Sequence, residues 1–109
     1  MATKKQQQNF YENVLEYIVG IGAVNRHIGS LCSHYKLNTK VGNLNITLEE
    51  PGKSQVFSIF CRFDYEKKAK ELLGNCDRLN PYSGKWNFHT YDPETALMQF
   101  KNELSILLN

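Results

Sequence analysis

Four stretches of the chain repeat their apolar residues at helical spacing, and three alternate them at the spacing of a strand. Phe10, Val14, Tyr17, Ile18 and Ile21 make the first helical stripe. Asn9 can cap it, with Glu12 three residues on to close a capping box. The helix is therefore predicted to begin at Asn9, leaving the polar residues 1–8 (MATKKQQQ) as a disordered arm. Gly20 and Gly22 carry the backbone-entropy cost that ends or bends a helix. Val24, Ile28, Leu31, Cys32 and Tyr35 again fit one helical face. They predict a second helix over 24–37, although Gly29, Ser30 and Ser33 lower its propensity. Residues 38–43, with Thr39, Lys40 and Gly42, read as a connection.

Alternation takes over next. Leu44, Ile46 and Leu48 are separated by polar residues, Glu50-Pro51-Gly52-Lys53 reads as a turn, and Val56–Phe63 (VFSIFCRF) is aromatic and β-branched. With Pro51 and Gly52 at the centre of the turn, Ile46 is expected opposite Phe57 and Leu44 opposite Ile59. Phe57, Ile59, Cys61 and Phe63 then share one face, and Val56, Phe60 and Arg62 the other. Asp64 caps a helix through Tyr65, Ala69, Leu72 and Leu73 that Gly74 ends. Residues 75–84 read as a loop, and 85–91 as a strand with Trp86 and Phe88 alternating against Asn87 and His89. Asp92, Pro93 and Glu94 open a last helix with a stripe of Leu97, Phe100, Leu104 and Leu107 or Leu108. The predicted order is α-α-β-β-α-β-α: one α+β domain over 9–109, with helices packed on a sheet of at least three mostly antiparallel strands.

Composition changes this picture little. At 109 residues, 41% hydrophobic and 22% charged, the chain has the make-up of one globular domain. A formal charge of +2 is too small to imply a nucleic-acid partner by itself. The longest nearly apolar stretch, Tyr17–Val24, is too short to cross a bilayer, which argues against a membrane partner. With no export signal at its start, the chain reads as cytoplasmic, and Cys32, Cys61 and Cys76 as reduced thiols.

The residues that carry chemistry do not assemble into a motif. His27, Cys32 and His34 are close together, and Cys61, Cys76 and His89 could join them in space, yet paired zinc ligands at Cys-x-x-Cys spacing are absent. Cys76 stands beside Asp77 and Arg78, with His89 as a conceivable base, but nothing in the spacing joins them. No phosphate loop, dinucleotide glycine pattern, nucleophile elbow or kinase signature occurs. The expectation is a protein without catalytic residues, metal or cofactor.

Two binding readings remain. Lys67, Lys68 and Lys70 crowd the helix after VFSIFCRF, and Lys85 stands beside Trp86, which suits phosphate contacts with aromatic stacking. Arg62 could extend that surface. The aromatic strand resembles the stacking strands of RNA-binding sheets, without the glycine–aromatic signature of those domains. Against this, Glu66 and Glu71 dilute the lysines. For protein recognition, Arg78, Tyr82, Lys85 and Trp86 have the Arg, Tyr and Trp mix of binding hot spots. An uncovered face with Val56 and Phe60 would ask for a partner or a second copy of the chain. The sequence alone favours a non-enzymatic interaction module, with protein ahead of nucleic acid, of the kind common among phage and mobile-element accessory or inhibitor proteins.

Overall fold

A computed structural model of the chain describes residues 3–28, 32–49, 57–74, 80 and 85–108. Its elements are α1 (Lys4–Gly20), β1 (Val24–Ile28), β2 (Cys32–Thr39), β3 (Gly42–Glu49), β4 (Phe57–Phe63), α2 (Glu66–Leu73), β5 (Lys85–Thr90) and α3 (Pro93–Leu108). The strands form one antiparallel sheet in chain order, β1-β2-β3-β4-β5, and α2 connects β4 to β5. The α+β class, the antiparallel sheet and the last three elements agree with the sequence pattern, except that Asp64 does not cap α2: Tyr65 is at the cap position, with no side-chain cap bond.

α1 starts five residues before Asn9, so 4–8 are helix and not a disordered arm. Thr3 is the cap: its Oγ1 accepts from Gln6 N at 3.1 Å, and Gln6 Oε1 accepts from Thr3 N at 2.9 Å. This is the same Thr-x-x-Gln logic as a capping box, six residues earlier than Asn9-x-x-Glu12. Lysine and glutamine are good helix formers, and buried Gln7 extends the stripe of Phe10, Val14 and Ile18. At the other end Gly22, with φ +107°, reverses the chain, and Ala23 N donates to Ile18 O at 2.8 Å. That six-residue closure is the glycine-terminated end expected of a helix.

The helix predicted over 24–37 is replaced by β1 and β2. The deciding pattern is Ser33, Tyr35 and Leu37 buried against half-buried His34 and Lys36 and exposed Asn38, which is period two. Val24, counted in the helical stripe, is 65% exposed on the edge strand. The apolar residues of 24–37 fit both periods, and pairing with β3 decides between them.

β2 and β3 pair along their whole length from Thr39↔Gly42 to Cys32↔Glu49, joined by Lys40 and Val41. Gly42 is required twice over: its φ is +101°, and a β-carbon there would fall 2.5 Å from Tyr65 Cδ2. Lys40 N donates to Leu107 O at 2.9 Å, tying this hairpin to the last turn of α3. Between β3 and β4 the pairs are Leu44↔Phe63 and Ile46↔Cys61, four residues away from the expected register. A two-residue Pro-Gly turn is incompatible with that offset; residues 50–56 themselves lie outside those described.

The inner face of the sheet holds Tyr35, Leu37, Leu44, Ile46, Leu48, Phe57, Ile59, Cys61, Phe63, Trp86 and Phe88. It packs against the α1 stripe, Ala69 of α2, and Ala96, Phe100, Leu104 and Leu107 of α3. Trp86 is the centre. Its ring lies 5.3 Å from Phe63, 5.0 Å from Phe88 and 5.8 Å from Phe100, and Nε1 donates to Glu103 Oε1 at 3.0 Å. The indole is wholly buried, with its one polar atom satisfied.

Two stability outcomes follow from this packing. Trp86→Ala should lower the unfolding free energy by about 3–5 kcal/mol, and Trp86→Phe by less, in urea titrations followed by circular dichroism; equal, small losses would contradict the central position of the indole. Asp92 accepts from Thr95 Oγ1 at 2.5 Å and from Glu94 N at 3.1 Å, and chiefly the Thr95 hydroxyl holds its carboxyl below the usual range. A depressed carboxylate stabilises above its unfolded pKa and loses that contribution as pH falls through the folded value. Wild type should therefore melt above Asp92→Ala at neutral pH, with the gap closing below about pH 4. A gap that persists at pH 2 would sink the assignment.

Candidate functional site

Because the helices lie on one side, the alternate residues of every strand make a second face. Cross-strand partners share a face, so the pairings define its rows. One row runs Val24–Lys36–Asn45–Arg62–Lys85 across all five strands. The next runs His27–His34–Thr47–Phe60–Asn87. Cys32 pairs with Glu49 beyond it. Arg62, Lys85 and His27 are exposed, and Lys36, Asn45, His34, Thr47, Phe60 and Asn87 are half-buried.

The charge on the strands is one-sided. They carry Arg26, Lys36, Arg62 and Lys85 against a single carboxylate, Glu49. Asp64, just past β4, accepts from Asn45 Nδ2 at 3.2 Å. A bulge sets one end of the face: the β1–β2 register shifts between Asn25 and His27, so Arg26 is extra and His27 comes opposite His34. Asn25 Nδ2 donates toward His34 O at 3.4 Å across the bulge. A recess of about 370 Å³, lined by Ile21, Gly22, Val24, Lys36, Leu37 and Asn38, closes the β1 end of the basic row.

Cys32, grouped with His27 and His34 in the sequence, lies beside the histidine row. His34 Nε2 lies 3.4 Å from Cys32 Sγ and Nδ1 lies 3.0 Å from Thr47 Oγ1, while the His27 ring stacks on His34 with centroids 6.2 Å apart. The structure thus brings His27, Cys32 and His34 together. Among the described residues, however, no group of three His, Cys, Asp or Glu side chains is arranged to hold a metal ion. Cys61 is in the core, and burial pushes its thiol far above the ordinary range, so it stays neutral. Cys76 and the side chain of His89 lie outside the described residues.

The other sequence candidates separate. Lys85 joins the basic row. Trp86, expected at a binding surface, is a core residue: its alternation with Lys85 and Asn87 turns it inward. Arg78 and Tyr82 lie outside the described residues, as does Val56. Lys67 and Lys68 are exposed and Lys70 is half-buried on α2, which packs on α3 in the helical layer. Lys68 Nζ sits 5.4 Å from the Tyr65 ring centroid. These lysines are therefore not continuous with the strand row. Sequence reasoning passed over Lys36 and Asn45; the alternation of 32–39 was the signal that marks Lys36.

This is an α+β domain whose three described helices all lie on one side of its sheet. No protein-family model matches the chain, and neither does any curated protein or solved structure. No described helix is long and apolar enough to cross a membrane.

The two described thiols should react differently. In the native protein a maleimide should modify Cys32 and spare Cys61, with Cys61 labelled only after denaturation, as read by peptide mass mapping. Native labelling of Cys61 at the rate of Cys32 would contradict its burial.

Proposed function

We propose that the chain is a non-enzymatic nucleic-acid-binding module that contacts phosphates through the face of its sheet turned away from the described helices. The observation that carries this reading is the row Lys36–Asn45–Arg62–Lys85 on rigid antiparallel strands. Cations and amides in a line suit a polyanion, because phosphate contacts come from Lys, Arg and Asn side chains. With a net charge of only +2, concentrating cations on one face is the way this chain can present an attractive field.

The geometry moves the balance from protein toward nucleic acid. The expected apolar patch on the second face would have been built on Val56 and Phe60. Among the described residues that face is polar around Phe60, with Thr47 and Asn87 as its cross-strand neighbours. Of the four residues assigned to protein recognition, only Lys85 is both described and exposed. Lys85 serves the nucleic-acid reading equally well. Cytoplasmic location and a phage or mobile-element origin belong to the same reading as proposals, since such proteins meet nucleic acid there.

Fluorescence anisotropy with pooled labelled oligonucleotides tests it. Binding should be clear at about 50 mM salt and weaken steeply by about 200 mM, as counterion release requires. Lys36→Gln with Arg62→Gln should lower affinity roughly tenfold and flatten the log–log salt slope by about 1.4, near 0.7 per single-strand phosphate contact. Lys67→Gln with Lys68→Gln should stay close to wild type. Loss of binding in the α2 pair with none in the strand pair would overturn the assignment of the face.

A further inference from the structure

Independently of phosphate binding, we infer that Cys32 is a site of thiol–disulfide exchange, its proton taken by His34 as the sulfur attacks a low-molecular-weight disulfide.

The sheet builds the pair. In β2, Ser33, Tyr35 and Leu37 turn to the core, so Cys32 and His34 stand next to each other on the opposite face. His34 Nε2 lies 3.4 Å from Cys32 Sγ, and Nδ1 lies 3.0 Å from Oγ1 of Thr47, the residue directly across on β3. Both ring nitrogens are thus engaged, one by a nucleophile and the other by a group that orients the ring. Nucleophile, base and orienting third group are the three parts by which an activated thiol is recognised. With Nδ1–H donating to the Thr47 hydroxyl, the lone pair of Nε2 faces the thiol. The His27 ring stacks on His34 with centroids 6.2 Å apart, so β1 supports the imidazole as well. Three strands hold one ring at one sulfur.

Cys61 has none of this. It is buried on the inner face, where desolvation pushes its thiol far above the ordinary range, whereas Cys32 is half-buried near the ends of β2 and β3.

The disulfide is the sole co-reactant. Nε2 takes the proton from Sγ, Sγ bonds to one sulfur of the disulfide, and the disulfide's own S–S bond breaks. The leaving sulfur carries off the electron pair and takes the proton back from Nε2. The products are a mixed disulfide on Cys32 and one small free thiol, with the imidazole neutral again. Thr47 accepts from Nδ1–H throughout, so the ring keeps its place as Nε2 gains and loses its proton. Glu49 stands directly across from Cys32, and Lys36 follows His34 on the same face. A charged disulfide would feel both, so an uncharged one isolates the effect of the imidazole.

Hydroxyethyl disulfide is therefore the probe, near neutral pH, with the adduct at each cysteine followed by peptide mass mapping. Cys32 of the folded protein should react at least roughly tenfold faster than Cys32 of the urea-unfolded chain, below the usual contribution of a positioned base because the thiol is half-buried. A half-buried thiol without a base would react more slowly folded than unfolded. His34→Gln should remove the advantage, with Cys61 still unmodified to show that the sheet is intact. Thr47→Val should slow Cys32 as well, and Thr47→Ser should restore the wild-type rate. If a variant fails to fold, the wild-type comparison decides by itself. A folded-state rate at or below the unfolded one, or a wild-type rate in folded His34→Gln, overturns the assignment of Cys32 and leaves the phosphate row untouched.

Discussion

Every apolar residue that the five strands bury has to point the same way, and the rest of the molecule follows from that constraint. A sheet dry on one side and wet on the other must alternate at period two, and helices attached to it must return to the dry side. The chain meets this with an antiparallel meander, and α2, between β4 and β5, docks beside α3. Trp86 anchors the arrangement. Its indole touches Phe63 and Phe88 of the sheet and Phe100 of α3, so it fixes the edge strand and the last helix together. The bond from Lys40 N to Leu107 O closes the opposite end of α3 against the β2–β3 hairpin. The helical layer is held at several points along the inner face of the sheet.

What the sequence disclosed follows the same physics. β4 and β5 were legible because bulky aromatics alternate with Ser58, Arg62 and Asn87, so periodicity and propensity agree. α3 was legible from Asp92-Pro93-Glu94 and a long apolar stripe. The segment 24–37 was not, because its apolar residues fall at positions common to both periods. Only pairing with β3, a long-range contact that no local pattern contains, resolves them. The start of α1 was missed because two capping boxes lie in register, and the choice of the outer one rests on Gln7 reaching the core. The β3–β4 register was missed because a Pro-Gly pair suggested a tight turn where the pairing requires a longer connection.

The candidate site was less legible than the fold. Two of the residues on its rows, Lys36 and Asn45, are unremarkable in sequence, since isolated polar residues in strands are the ordinary wet side. They become a row only when antiparallel register aligns positions 36, 45 and 62. The lysine cluster of α2 was conspicuous for the opposite reason: residues adjacent in sequence look concentrated even when the helix they sit on turns them to a different part of the surface. Trp86 shows the same confusion of composition with position. Aromatic and basic residues side by side in a strand point to opposite faces, so Lys85 and Trp86 cannot serve one contact.

The cost of this architecture also bears on what the open face is for. A five-stranded sheet left wet on one side gives up the hydrophobic stabilisation that a second helical layer would add, and a chain of 109 residues has little core to spare. Threonine and asparagine satisfy the hydrated face at no apolar expense, as they do at Thr47, Asn45 and Asn87. The β1 bulge interrupts the edge ladder and brings His27 opposite His34. Bulges do protect edge strands from pairing with other chains, but that role is indifferent to which residue lands on the face. Here the bulge also places His27 and His34 on the row next to the one that carries Lys36, Arg62 and Lys85.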